Sequence, residues 1–433
     1  TGTISIENGR DGVLVYNNAT STRIGTDGTD NAYAQNERNV ISGNFGRGIR
    51  VQNAHDTIIA GNFIGTDITG EIDLGNRNDG IFVFQGSDRT IIGTNSDGAN
   101  DANEGNLIAG NDQYGIRSNG AGTDGTIIAG NLVGTNAAGT ELIGNSNHAV
   151  ALFNGPSGAR IGTDGIGANN ELERNIIVGL NDGVTIVNSN NNVVAGNYIG
   201  TDITGLQPLG NRLSGVAVYN NSSGNRVGTA GNGDKNPTER NIIAASGTYG
   251  VYIADSANNN IVAGNYVGTD KNGVAQLGSG IAGVILRNGA YANRVEDNLV
   301  RFSRQEGIRV VDGNTGANAL RRNETSGNVG LGIDINSDGV TPNDVGDADS
   351  GPGGQLNFPV LSAEIVGPDL VVSGFAPAGS EIDFYKAALD SMGFGEGATF
   401  LVSRTEGDTT SGVADSDTTT GSYSLPRIGS DAN

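Results

Sequence analysis

Thr57-Ile58-Ile59-Ala60-Gly61-Asn62-Phe63-Ile64-Gly65-Thr66-Asp67 is the stretch whose reading decides the fold. Two short apolar runs are separated by Gly-Asn and closed by Gly-Thr-Asp, the signature of short strands joined by tight turns. Its last four residues return as Val133-Gly134-Thr135-Asn136, Ile199-Gly200-Thr201-Asp202 and Val267-Gly268-Thr269-Asp270, with the glycines 69, 66 and 68 residues apart. A fixed period of this length means one structural unit stacked on itself. No stretch keeps a 3.6-residue apolar period over ten residues, so helix is a minor component.

Within the long repeat lies a coil of three strands. Strand a reads Thr57–Ala60, Asn191–Ala195 and Asn259–Ala263. Strand b reads Asn39–Ser42, Asn106–Ala109, Asn175–Val178 and Asn241–Ala244, and strand c reads Gly48–Val51, Gly80–Val83, Gly215–Val218 and Gly250–Ile253. About ten such coils fit between Thr22 and Asn336, a rod of about 48 Å at ~4.8 Å per strand. Ile41, Ile108, Ile177 and Ile243 hold one inward position of strand b, and Ile49/Val51, Ile81/Val83, Val184/Ile186, Val216/Val218 and Val251/Ile253 the inward pairs of strand c. Stacked β-branched residues suit a narrow strand-lined interior. Asn tolerates left-handed turns, and identical Asn residues stacked coil on coil form hydrogen-bonded ladders.

Insertions alternate along the rod. One coil carries its insertion between a and b (93–105, 162–174, 228–240), and the next carries it between b and c (67–80, 136–148, 202–215, 270–283). Insertions held at fixed corners of a solenoid build one functional or protective face.

Composition excludes several functions. The 433-residue chain has 47 acidic and 25 basic residues, a net charge of −22, which opposes binding to nucleic acid or anionic membrane. It has no Cys, so disulfide scaffolds and thiolate metal sites are excluded. No apolar run approaches the length of a membrane span, and no membrane insertion is expected. The 72 Gly residues follow no three-residue period, which excludes collagen.

The Asn-Xaa-Ile-Xaa-Gly-Asn and Ile-Gly-Thr-Asp-Xaa-Thr-Gly phrases resemble the repeats of large bacterial secreted or cell-surface proteins with the right-handed parallel β-helix (pectate-lyase-like) architecture. The resemblance covers residues 1–336. It implies an all-β right-handed parallel β-helix of three strands per coil, secreted or on a bacterial surface. It does not imply one function, since that fold hosts lyases, hydrolases, epimerases, adhesins and phage tailspikes.

After Asn336 the repeats stop. Residues 337–360 read as an acidic linker containing Gly and Pro, and residues 361–433 as part of a β-sandwich, with alternating runs at Leu370–Ser373, Glu381–Tyr385 and Thr399–Val402. In the resembling proteins the corresponding segment precedes an immunoglobulin-like module, with Ser391–Leu401 and Thr405–Tyr423 here as part of it. A sandwich needs about 100 residues, so the module is read as incomplete, the chain as a fragment, or the missing strand as supplied by a neighbour. No polar cap is legible before the first coil, which points to head-to-tail assembly.

Four sets of residues are candidates for chemistry. Asp334-Ile335-Asn336-Ser337-Asp338-Gly339 has the spacing that opens a calcium loop, although Val345 stands where an EF-hand has Glu. Asp344, Asp347 and Asp349 would complete an oxygen cage for Ca2+, and Asp408, Asp415 and Asp417 form a weaker acidic group. Asp67, Asp202 and Asp270 recur every second coil, about 10 Å apart, too far to share an ion and suited to capping turns. For proton abstraction from a sugar acid, His55 and His148 are the only histidines, about three coils apart and without an evident partner. Arg50, Arg117 and Arg309 project outward from strand c but read as scattered, and outward carboxylates there are almost confined to Asp334.

The outward face of strand c gathers aromatic residues, with Leu14 among Tyr16, Phe82, Phe84, Phe153, Tyr219 and Tyr252. Such a face stacks on sugar rings or packs a partner. The apolar stripe outside strand b (Val40, Phe63, Leu107, Leu132, Ile176, Tyr198, Ile242, Tyr266) is expected to lie under insertion residues Leu74, Ile143, Leu209 and Leu277. The leading expectation is an extracellular structural or adhesive protein, contacting copies of itself (a homo-polymer), a neighbouring surface protein or a polysaccharide. The alternatives are a polysaccharide lyase or epimerase, and a phage receptor-binding spike.

Overall fold

The computed structural model describes residues 2–4, 7–29, 34–343, 350–355, 358–366, 369–376, 380–389 and 393–405. Its architecture is a right-handed parallel β-helix of three sheets. Sheet c has eleven strands, from Val13–Tyr16 to Ile333–Ile335; sheet a has ten, from Arg23–Gly25 to Ala319–Arg321; sheet b has ten, from Val40–Ile41 to Glu324–Ser326. Every strand in these sheets pairs in parallel with the strand one coil on, as Ile81–Phe84 does with Ile116–Asn119.

The inward columns follow from that register. Ile41 pairs with Ile64, Ile64 with Ile108, Ile108 with Val133, Val133 with Ile177, Ile177 with Ile199 and Ile199 with Ile243. All are buried, in one continuous core running the length of the rod. Truncating such a side chain to Ala costs about 2–5 kcal/mol, since neighbouring coils hold the cavity open.

The bend between strands a and b carries a buried ladder of asparagines. Asn131 Oδ1 accepts both the backbone N–H and Nδ2–H of Asn106, each at 3.0 Å, while Asn131 Nδ2 donates to Asn175 Oδ1 at 3.0 Å. The same linkage joins Asn197, Asn241, Asn265, Asn298 and Asn323. Each Asn satisfies backbone groups that the sharp bend takes out of the sheet.

Gly65, at φ +96°, sits where a Cβ would lie 2.1 Å from the Ala109 carbonyl oxygen, so the glycine of the repeated phrase is a steric requirement. Asp67 then caps the turn, accepting from the backbone N–H groups of Glu71 and Ile72 and from Thr69 Oγ1. Asp202 and Asp270 repeat this arrangement, the turn-capping role expected of them.

The described C-terminal residues are antiparallel β-structure, of which the expected sandwich is the finer reading. They form two separate two-stranded antiparallel sheets, Val360–Val366 with Asp369–Phe375 and Glu381–Ala388 with Glu396–Thr405. Ala376, Ile382 and Phe384 make a small core with Val372 and Val402. The second pair lies against the last coil, where Arg321 is paired with Glu381 and Asp383, and Glu324 Oε1 accepts the Phe400 N–H at 3.2 Å. Alternation located these strands; how they pair is set by contacts with the end of the rod. Most of Thr405–Tyr423 lies outside the described residues.

Candidate functional site on the outer face of sheet c

Each strand of sheet c is preceded by a residue that must be small. A Cβ on Gly80 would lie 2.7 Å from the Gly115 carbonyl oxygen of the next coil. The residue just before it therefore turns out at the rim of the sheet, and these rim residues stack. Backbone N–H···O bonds of their glycine neighbours link Arg47, Asp79, Tyr114, His148, Asp182, Ser214 and Tyr249 into one column, coil by coil. Beside it, in register along the strands, run Leu14, Arg50, Phe82, Arg117, Ala151, Thr185, Ala217 and Tyr252. Ala151, Thr185 and Ala217 are three consecutive small residues between Arg117 and Tyr252, all buried beneath the larger side chains around them.

Acid–base groups converge at these small residues. His148 Nδ1 lies 3.1 Å from Asp182 Oδ2 and 3.1 Å from Thr185 Oγ1. Asp182 is buried and is itself held by the Ser214 N–H, 2.8 Å from Oδ1. Nδ1 faces both the Asp182 carboxylate and, at 3.3 Å, the Asp182 backbone N–H, which together fix the ring; the tautomer with its proton on Nδ1 is the one that leaves Nε2 as a base. Tyr114 stacks on the His148 ring at 5.7 Å, and Phe153 closes edge-on to both. Burial raises the Tyr114 hydroxyl above the usual phenol range despite Arg117 nearby. Burial, with the Asp182 carboxylate and Tyr114 adding to it, pushes Tyr219 up to about 12, so its hydroxyl stays protonated.

Two coils from His148 toward the N-terminus, Asp79 lies between two arginines, 3.1 Å from Arg47 Nε and 2.7 Å from Arg117 Nη2. Burial raises the Asp79 carboxyl in spite of both guanidinium groups. Arg47 also meets Asp11 at 3.8 Å, and Asp11 in turn meets Arg50, so three guanidinium groups face two carboxylates here. Arg47 and Arg117 also stack on Phe82, at 4.6 and 4.2 Å. The Asp79 and Asp182 carboxylates are three coils apart, about 14 Å, beyond the separation at which a carboxylate pair hydrolyses a glycosidic bond.

This face corrects parts of the sequence reading. His148 and His55 both have carboxylate partners, Asp182 and Asp88. Arg50, Arg117 and Arg309 are not scattered from acids but paired with Asp11, Asp79 and Glu306. Those carboxylates stand on the rim, one position outside the strand, where inspection of the strand residues alone misses them. Aligning the residue before each strand-c glycine displays the column except at His148, which precedes Ala149.

The six expected aromatic residues all lie on this sheet but do not form one platform. Tyr16 is exposed near the first coil; Phe82 is buried and stacks on Phe84 at 4.5 Å; Phe153 belongs to the His148 group; Tyr219 meets Tyr252 edge-on at 6.2 Å, and Tyr252 stacks on Tyr249.

Of the calcium residues, Asp334 is buried in register with Arg309, and its Oδ2 accepts the Gly339 N–H at 3.2 Å. Asn336 Nδ2 donates to Asp338 Oδ2 at 2.9 Å. Asp344, Asp347 and Asp349 lie outside the described residues, as do Asp408, Asp415 and Asp417. Among the described residues no group of three His, Asp or Glu side chains is placed to hold a metal.

No protein-family model matches this chain, and no curated protein sequence matches it. Among solved structures it is similar to two mutant forms of the periplasmic alginate epimerase AlgG. One shares 17% identity over 67% of this chain and 50% of that one, with a TM-score of 0.38. The other shares 15% over 69% and 73%, again with a TM-score of 0.38. The Dettilon tailspike protein shares 14% identity over 96% and 86%, with a TM-score of 0.31. This chain thus spans half the length of the first of these structures. At these identities the likeness concerns the stacked-coil architecture.

Proposed function

We propose that the protein acts on an acidic polysaccharide laid on the outer face of sheet c, abstracting the proton next to a uronate carboxylate as an epimerase or a lyase. The observation that carries this reading is His148, fixed through Nδ1 by Asp182 and Thr185, with Tyr114 stacked on its ring. A uronate C5–H is acidified when its carboxylate is neutralised, and the arginine cluster, Arg47 and Arg117 around Asp79, is the group to do so. His148 Nε2 takes the C5 proton, and the electron pair moves onto the carboxylate. In an epimerase a protonated phenol, Tyr219 or Tyr114, then returns a proton to C5 from the other face. In a lyase the pair forms the C4–C5 double bond, the C4–O bond breaks, and the departing oxygen takes the phenol's proton. Such polymers are met outside the cytoplasm, in keeping with the secreted setting expected from the repeats.

The test is incubation with 1,4-linked polyuronates of different configuration in deuterated water. Deuterium at C5 by NMR marks an epimerase, and ultraviolet absorbance of the unsaturated uronate marks a lyase. Either signal should vanish in His148→Ala. Binding without exchange or elimination would return the rod to the adhesive reading, and a threefold contact along it to the spike reading.

A further inference from the structure

The outer face of sheet b holds a second feature, which stands apart from the chemistry proposed for sheet c. Because the insertions alternate between the two corners of strand b, they flank this face as two walls. Inside them the repeat follows a rule. In the coils whose insertion lies between a and b, the residue before the Asn that opens strand b is Arg38, Arg174 or Arg240, and each guanidinium stacks on an aromatic ring of the next coil: Phe63 at 4.0 Å, Tyr198 at 4.3 Å and Tyr266 at 4.0 Å. The rule fails once. Gly105 stands in the arginine position and Leu132 in the aromatic position. A groove of about 570 Å³ lies over that gap, floored by Leu107 and Leu132 and ended by Arg38 and Arg174.

Those end groups are cations without counter-ions. Among the described residues neither Arg38 nor Arg174 forms an ion pair, whereas Arg23, Arg160 and Arg226 on the adjoining sheet are each held by a glutamate. Arg174 Nε donates to the Gly196 carbonyl, which leaves its terminal fork free. Packing on Phe63 partly desolvates the exposed Arg38 side chain, which lowers its affinity for its proton. Asp101 in the wall is already satisfied by Thr94 Oγ1, the Gly98 N–H and Asn169 Nδ2. Glu171 is the wall carboxylate that an anionic ligand must avoid.

We infer that this groove is a binding site for an anionic glycan, a carboxylated or sulfated oligosaccharide lying along the rod axis. The two stacked rings are four coils apart, about 19 Å, so the ligand spans several sugar rings rather than one. Its anionic groups meet the arginine forks edge-on, and its C–H faces lie on the leucine floor. The net charge of −22 makes unpaired guanidinium groups at both ends informative, since a surface of that sign would otherwise repel such a ligand.

The experiment is titration calorimetry of the full chain with a polyuronate oligosaccharide and a neutral glucan of equal length. The uronate should bind and the glucan should not, with affinity falling as salt rises. Arg38→Gln and Arg174→Gln should each weaken uronate binding about tenfold, the loss of one charge-assisted contact. Leu132→Tyr, which restores the repeat and fills the gap, should abolish it with both arginines present. Uronate held on the outer face of sheet c gives a separate binding event that these groove variants leave intact, so it is the groove's own unit of stoichiometry that they should weaken or remove. Equal binding of glucan and uronate, or unchanged binding by the Arg38/Arg174 double variant or by Leu132→Tyr, would overturn the assignment.

Discussion

Asn328 gives its Nδ2–H to Glu396 at 2.7 Å and its backbone N–H to the other oxygen of the same carboxylate at 3.2 Å. Asn328 is a rung at the turn that leads into sheet c, where Ser303 N–H bonds to its Oδ1. At this corner Asn44, Asn76 and Asn111 each donate to the Asn of the next coil, an arrangement that lapses in the middle coils and returns at Asn328. Glu396, from the C-terminal strand pair and 2% exposed, stands where the Asn of a next coil would.

Glu396→Ala should therefore leave two buried donors of Asn328 unpaired, at about 1–3 kcal/mol each before relaxation. The loss should be local. Amide exchange should accelerate first in Glu324–Ser326 and Ile333–Ile335, and last in the central coils. Uniform acceleration along the rod would show that Glu396 is not a cap.

Asn197→Ala should cost more than a surface change and should act on both neighbours. The Asn175 N–H and Nδ2–H lose their acceptor, and Asn241 Oδ1 loses a donor. About 3 kcal/mol is expected, with Asn197→Asp intermediate because it keeps the acceptor. Chemical denaturation with a probe on either side of coil 6 would reveal whether the rod splits there.

Asp182→Asn should lower turnover by about 10²- to 10⁴-fold with little change in KM, since it removes the carboxylate charge that faces His148 Nδ1. Deuterium incorporation at C5 measures it. An equal loss in binding would instead mean that Asp182 only holds the local fold.

Stability should fall in acid through the turn aspartates. At Asp67 and Asp270 burial works against the charged form, yet hydrogen bonds from backbone and side chains outweigh it and hold both carboxyls below their usual range. A lowered folded value means the stabilisation is present above the ordinary carboxylate value of about 3.9 and is lost as pH falls through the lower folded value. The Asp67→Asn/Asp270→Asn double variant should melt earlier than the parent chain at pH 7, and the gap should close below about pH 4. Asn136 fills the same position naturally and keeps the backbone bonds, so the variant should fold.

The coil was legible because its period is written in residues that must face inward. Ile41, Ile64, Ile108 and Val133 sit at one register position whatever the insertion between them, since the insertions leave the sheets at their corners. The His148 group was illegible for the opposite reason. His148 and Asp182 are 34 residues apart, and Asp79 and Arg117 are 38 apart, separations set by coil lengths that vary from turn to turn. Asp79, His148 and Asp182 stand outside the alternating strand pattern, so the alternation does not mark them, whereas Arg117 lies within it. The insertion cover over strand b was partly foreseen: Ile143 packs with Phe63 and Leu107, joined by Ala137, while Leu132 bridges to the Ile176, Tyr198 and Ile242 group. The break at Gly105 and Leu132 was visible in the repeat, but its meaning needed the two walls.

The alternation of insertions from corner to corner restricts how such a rod can change length. Deleting a single coil would bring two like corners together, crowding one flank of strand b and stripping the other, while every inward column stayed intact. A shortened or extended relative should therefore differ by an even number of coils, and gene duplications that survive should copy the full 67-residue unit. The hydrophobic column would tolerate any number; it is the exterior that counts in twos.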